Sequence, residues 1–120
     1  MKNLILKKLQ SNIQGTVFFK KEFIDYYSVD ASSYQIYPKI IVVAKNEKDI
    51  INTIKIAKKF KTSVTVRGAG TGLVGSALNN GIILDMKNFD TIRLKKNHVI
   101  VGPGTMKGQL DIVLKKSKKF

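Results

Sequence analysis

The stretch Arg67-Gly-Ala-Gly-Thr-Gly-Leu-Val-Gly75 follows directly on the short apolar run Ser63-Val-Thr-Val66. Five glycines fall between Gly68 and Gly81, four of them inside this stretch. Glycine lets backbone approach a ligand closely and turn through left-handed conformations. The chain must therefore run a strand into a long glycine loop and leave it within a few residues. Gly70 to Gly75 spells G-x-G-x-x-G. In a Rossmann unit that spelling opens a crossover helix, and an acidic residue follows about 20 positions on. Here five residues separate Gly75 from Gly81, where the next strand begins, and two of them, Asn79 and Asn80, favour turns. Asp85 comes ten residues after Gly75, too early for the ribose role. A Walker loop is excluded more simply, because Gly-Lys-Ser and Gly-Lys-Thr are both absent.

A second kind of phosphate cradle remains. Repeated glycines let consecutive backbone N–H groups converge on one anion. Arg67 and Thr71 add a charge and a hydroxyl, and a pyrophosphate suits a loop of this length.

The surrounding pattern places the loop. Leu4, Ile5, Leu9 and Ile13 recur at helical spacing within residues 2–13. Residues 23–38 hold all four tyrosines without a regular period and read as an ordered, irregular segment ending at Pro38. Lys39–Ala44 is a short, continuous, β-branched run, as in a buried strand. Asn46 is placed to cap a helix, with Glu47 and Asp49 in its first turn, where the helix dipole favours acids. That helix reaches about Phe60, with Ile50, Ile54, Ala57 and Phe60 on one face. Ser63–Val66 then completes a βαβ unit, expected to be parallel and right-handed. Gly81–Asp85, Ile92–Leu94 and His98–Val101 read as further strands, and Met106–Leu114 as a helix. The expected fold class is α+β: a small mixed sheet containing a βαβ unit, with flanking helices.

At 120 residues the chain suffices for one domain. Its hydrophobic content of 43% is that of a folded protein. No cysteine is present, which excludes disulfides and thiolate metal sites. No metal cluster, carboxylate pair or nucleophile triad stands out. The longest apolar run is strand length, and the N-terminus has neither the sustained apolar core nor the cleavage site of a signal peptide. The formal charge of +14 favours anionic partners. Twenty of the 22 basic residues are lysines, however, and they are dispersed, as on a solvated surface. His98, the one histidine, reads as structural. Asp85, at a strand end beside a tight turn, reads as a backbone acceptor. For Asp30 and Ser32, capping and ligand contact are equally open. The tyrosines read as packed, with their hydroxyls satisfied.

In combination these motifs resemble a known family. Arg67-Gly-Ala-Gly-Thr-Gly-Leu-Val-Gly-Ser-Ala77 is similar to the Arg-Gly-Gly-Gly-Thr loop of the FAD-binding domain found in flavoproteins of the vanillyl-alcohol oxidase and glycolate oxidase type, D-lactate dehydrogenases included. Tyr27-Ser-Val-Asp-Ala-Ser-Ser-Tyr34 with Pro38, Ile41-Val-Val43 with Asn46–Asp49, Gly81–Asp85 with Met86–Phe89, and Val101-Gly-Pro-Gly104 resemble its other signatures in order. The resemblance covers about residues 26–114. It implies a fold of two small α/β subdomains around FAD. Residues 1–25 would be a helical lead-in, and residues 26–120 the first subdomain and the start of the second. Gly68, Ala69, Gly70, Thr71 and Gly72 would supply backbone donors to the pyrophosphate, and Gly75 and Ser76 would continue the contact. Arg67 would lie at the loop's entrance, with Pro103 and Gly104 toward the ribityl or flavin side. In some relatives a histidine in this loop bonds covalently to the flavin. Thr71 stands at the matching position here, so non-covalent FAD is expected.

Three departures from the family pattern accompany the match. Ala69 replaces the middle glycine, Ala44-Lys45 stands where a proline is usual, and the sequence stops at Phe120 before a substrate domain. The resemblance thus implies the FAD-binding portion of an oxidoreductase acting on a 2-hydroxy acid, incomplete for catalysis alone, with a second chain as a candidate to complete it. A cytoplasmic location is expected, with peripheral contact to the inner face of an anionic membrane left open by the charge. The alternative reading is a lysine-rich module for nucleic acid or another polyanion. It rests on charge alone, and scarce arginine disfavours nucleic acid.

Overall fold

A computed structural model describes residues 2–118. The chain runs α1 (Lys2–Asn12), β1 (Thr16–Phe18), α2 (Lys21–Tyr27), β2 (Ile40–Val43), α3 (Glu47–Lys59), β3 (Val64–Arg67) and β4 (Ile82–Asp85). β5 (Ile92–Leu94), β6 (Val99–Val101) and α4 (Lys107–Lys116) follow. The first four strands form one sheet in the order β1-β2-β4-β3. β2, β4 and β3 are parallel, and β1 is antiparallel at the edge. β5 and β6 form a separate antiparallel pair, Ile92 opposite Val101. The mixed sheet and βαβ crossover expected from the sequence are present. β3 does not pair with β2; β4 enters between them.

Both faces of β2 and β4 are covered, which is why these strands read as unbroken apolar runs. Ile40, Val42, Ile82 and Leu84 pack with Ile5, Leu9 and Ile13 from the α1 end and with Ala57 of α3. On the opposite face Ile41, Val43 and Ile83 pack with Tyr27, and Phe18, Phe23 and Ile24 lie against them. Full burial of each such aliphatic side chain contributes about 1.5–3 kcal/mol.

α2 corrects the sequence reading, which left residues 23–38 without a helix. Seven residues are too few to be helical alone. Burial supplies what propensity lacks, because Phe23, Ile24 and Tyr27 recur at helical spacing and all three face the sheet. An exposed Lys21–Asp25 ion pair at 2.6 Å spans one turn. The remainder of the stretch is irregular, closed by a bridge between Val29 and Gln35.

Asn46 caps α3 by accepting from the Asp49 N–H at 3.0 Å. Asp49 does more than meet the dipole. Its buried carboxylate accepts from the backbone N–H groups of Gln14, Gly15 and Lys45 at 2.8, 2.8 and 2.9 Å. Burial pushes this carboxyl up, but those three donors outweigh it and hold the group below the ordinary aspartate value. One side chain thus ties the turn between α1 and β1 to the start of α3. No helix among the described residues is long and apolar enough to cross a membrane.

Candidate functional site

The site lies at the carboxyl ends of the parallel strands, the usual ligand position in open α/β sheets. Pairing of β3 with β4 sets Arg67 opposite Asp85, and the Arg67 carbonyl accepts from the Met86 N–H at 3.0 Å. The glycine loop then leaves the sheet and rests on residues 30–34. Ala31 N–H donates to the Gly70 carbonyl at 3.0 Å, and Gly75 lies over the Tyr34 ring. Buried Ala77 and Leu78 anchor the exit. Asn79 fastens it to the sheet, accepting from Gly81 N–H and Ser63 Oγ and donating to Thr65 Oγ1.

Two residues of the loop are left-handed, Gly70 at φ +71° and Gly75 at φ +78°. Gly70 has a second constraint: a Cβ there would stand 2.5 Å from a terminal nitrogen of Arg67. That guanidinium is turned inward. Arg67 is 6% exposed, stacks over the Tyr27 ring at 5.1 Å and donates to the Tyr27 carbonyl at 3.4 Å. The Tyr27 hydroxyl donates to Asp85 Oδ2 at 2.5 Å, and Asp85 Oδ1 accepts from the Lys87 N–H at 2.9 Å. Burial, reinforced by the Asp85 carboxylate, pushes the Tyr27 phenol well above its ordinary value, so it stays protonated and donating at neutral pH.

A second turn faces the first. Gly104 N–H donates to the Phe89 carbonyl at 2.8 Å and Thr105 N–H to the Gly102 carbonyl at 3.0 Å. A Cβ built on Gly68 would meet only the Pro103 carbonyl, at 3.6 Å. The space above Gly68 is therefore open. Between the two turns and α2 lies a cleft of about 700 Å³. Arg67, Gly68, Ala69 and Gly104 line it, with aromatic rings from Phe18, Phe23, Tyr26 and Tyr27. Glu22, Asp85, Asp90 and Lys87 complete its charged lining. Thr105 Oγ1, in the second turn, is buried without a hydrogen-bond partner.

Of the ten residues singled out from the sequence, four line this cleft. Gly70, Thr71, Gly72, Gly75, Ser76 and Pro103 lie elsewhere on the two turns, Thr71, Ser76 and Pro103 at the surface. Asp85 does serve backbone, as expected, and the Tyr27 hydroxyl is satisfied, whereas Tyr26, Tyr34 and Tyr37 are exposed rather than packed as expected. Asp30 takes the capping role: its Oδ1 accepts from Ser32 Oγ and Ser32 N–H. The Ser32 hydroxyl, chiefly, holds that carboxyl below its usual value. His98 is exposed in the β5–β6 turn, where its carbonyl accepts from Lys95 N–H. The sequence reading missed the link between Tyr27, Arg67 and Asp85. Its local signal is the helical spacing of Phe23 and Tyr27, and its long-range part has none.

An FAD pyrophosphate fits these residues. The volume is that of organic-ligand sites, the Gly68 backbone is uncovered, and one buried cation underlies the loop. Comparison with known proteins gives the family of the domain. The model of the FAD binding domain family matches residues 38–120. D-2-hydroxyglutarate dehydrogenase of Haemophilus influenzae is 36% identical over 95 residues, 73% of this chain and 9% of that protein. Glycolate oxidase subunit GlcD of Escherichia coli is 29% identical over 92 residues, 73% of this chain and 18% of that subunit. This chain therefore spans less than a fifth of the length of either relative. In fold it is similar to 6-hydroxy-D-nicotine oxidase from Arthrobacter nicotinovorans, with a TM-score of 0.75 and 24% identity over 87% of this chain and 24% of that one.

Proposed function

This chain belongs to the FAD binding domain family, and from that premise we propose that its two glycine turns hold the pyrophosphate of a non-covalently bound FAD. The observation that carries the proposal is the open backbone at Gly68, facing Pro103 across the mouth of the cleft. In this reading the N–H groups of Gly68 to Gly72 bind the phosphates, Gly75 and Ser76 extend the contact, and Arg67 adds its charge from beneath the loop. Pro103 and Gly104 adjoin the ribityl or flavin portion. Thr71 offers a hydroxyl where covalent flavin attachment would need a more nucleophilic side chain such as an imidazole. Bound FAD supplies a two-electron acceptor for oxidation of a substrate. The names of the two curated relatives point to a 2-hydroxy acid as that substrate in the whole protein. Its binding groups would come from a further domain, on this chain's continuation or on a second chain. α1 and β1 lie ahead of the family match in sequence and pack into the same sheet and core.

The test is an FAD titration of the purified chain, followed by flavin fluorescence, with Gly68→Val in parallel. We expect saturable binding by the parent protein, a raised melting temperature, and loss of both in Gly68→Val at unchanged ligand-free stability. Acid precipitation should leave the flavin in the supernatant. Flavin that stays with the pellet overturns non-covalent binding. A folded protein that takes up no FAD, or a Gly68→Val variant that binds as well as the parent, overturns the cradle. Nucleic-acid binding that weakens steeply with salt would instead favour the polyanion reading.

A further inference from the structure

Arg67 and Asp85 are register partners on adjacent parallel strands, so their side chains leave the same face of the sheet side by side. Both are buried, at 6% and 5% exposure. A guanidinium and a carboxylate so placed have every electrostatic reason to pair. No ion pair joins them. The ion pairs among the described residues are Lys21–Asp25 and Lys107–Asp111, both within exposed helical turns.

Tyr27 stands between the two charges. Its hydroxyl occupies Asp85 Oδ2 and its ring carries the guanidinium. Lys87 N–H occupies the other carboxylate oxygen. Arg67 is left with its charge directly beneath Gly70, where a single Cβ would collide with it, and with Asp30 as the other carboxylate that feels that charge. Resting on the cofactor site proposed above, we infer that Tyr27 is a positioning residue of that site: it holds Asp85 off Arg67 and so reserves the guanidinium for the glycine loop and the anion bound there. Tyr27 need not touch the cofactor to do this. Tyr27→Phe keeps the ring and deletes the hydroxyl, so Asp85 loses one donor and turns to the cation beside it. Adding Asp85→Asn removes the competing charge.

The experiment compares the parent chain, Tyr27→Phe and Tyr27→Phe/Asp85→Asn. FAD affinity is measured by fluorescence at low and high salt, and the Arg67 Nε–H resonance by NMR without ligand. Tyr27→Phe is expected to weaken FAD binding about tenfold, the scale of one charge-assisted contact, with a shallower salt dependence. Its Arg67 Nε–H should move downfield as the ion pair forms. The double variant should return both readings toward the parent. A purely structural role for Tyr27 predicts that the double variant is worse than the single one, and that result overturns the inference. So does an Arg67 resonance unmoved by Tyr27→Phe. If the parent chain binds no FAD, the cradle falls, while the NMR comparison still decides whether Tyr27 separates the two charges.

Discussion

Gly70→Ala is the substitution on which the loop's construction can be judged most sharply. Two independent penalties meet at this residue. The first is conformational: φ is +71°, and an L-residue there costs about 1–2 kcal/mol. The second is steric. The new Cβ would lie 2.5 Å from one terminal nitrogen of Arg67 and 2.8 Å from its central carbon. The guanidinium would have to leave the Tyr27 ring, forfeiting roughly 1–2 kcal/mol of desolvated cation–π contact. It would also give up its bond to the Tyr27 carbonyl, which at 3.4 Å belongs at the low end of the scale, about 0.5–1 kcal/mol. The sum is roughly 2.5–5 kcal/mol, and about 1.5–3 kcal/mol of it should vanish when Arg67 is shortened to Met, since only the conformational part then survives. Urea unfolding followed by circular dichroism measures this directly. At an m-value of about 1–3 kcal/mol per molar the midpoint falls by about 1 M or more. Gly68→Ala is the internal control. Its Cβ has 3.6 Å of room, so its ligand-free midpoint should stay within about 0.5 kcal/mol of the parent. Equal stabilities for the two variants, or a Gly70→Ala cost indifferent to Arg67→Met, would refute the claim that the buried arginine sets the shape of the loop.

Two further substitutions test the frame around it. Asp49→Asn removes a carboxylate that accepts three backbone donors and should cost about 2–3 kcal/mol, the scale of one lost charged acceptor. Because the folded group titrates below its unfolded value, its contribution is fully present above about pH 4 and disappears as pH falls through the lower folded value. Acid titration monitored by circular dichroism should accordingly show the parent and variant curves converging at low pH; curves that stay parallel count against the latch. Tyr27 has the opposite sign. Its phenol is raised on folding, so its contribution is complete below the unfolded value near pH 10 and is lost as pH rises above it. The parent should therefore lose stability faster than Tyr27→Phe between about pH 10 and 12, with lysine titration common to both proteins and cancelling in the difference.

How much of this was open to sequence reasoning depends on the range of the contacts. β2, α3 and β4 were legible because each carries its own local signal. Ile40–Val43 is an unbroken β-branched run, Asn46 and Asp49 mark a helix start, and Ile82–Leu84 is a second apolar run bounded by Gly81. The order of the sheet was not legible. No local pattern says that β4 will lie between β2 and β3; what places it there is that all four of its residues are buried, whereas Val66 of edge strand β3 is 57% exposed. α2 failed for a related reason. Its seven residues have no helix-forming strength apart from the sheet they cover, so the helical spacing of Phe23, Ile24 and Tyr27 is too short a signal to stand out within the segment.

The loop itself divides along the same line. That residues 67–76 are a backbone cradle could be argued from glycine spacing, because spacing is a local property. Which glycine is indispensable could not. Gly70 and Gly72 are equivalent in the sequence, each expected as a backbone donor to the same pyrophosphate. Only Gly70 is left-handed; at Gly72 a Cβ would merely press on Ser76 Oγ at 3.1 Å. The difference comes from Arg67 folding back under the loop onto Tyr27, forty residues earlier, and from Asp85, 58 residues beyond Tyr27, holding that tyrosine by its hydroxyl. The expected picture of Arg67 at the mouth of the loop treated the side chain as a free charge. Its burial makes it part of the floor, with its charge acting upward through the loop's backbone. A cradle of this kind is selective through what lies beneath it as much as through the glycines that face the ligand, and the floor is assembled from segments that meet only in the folded chain.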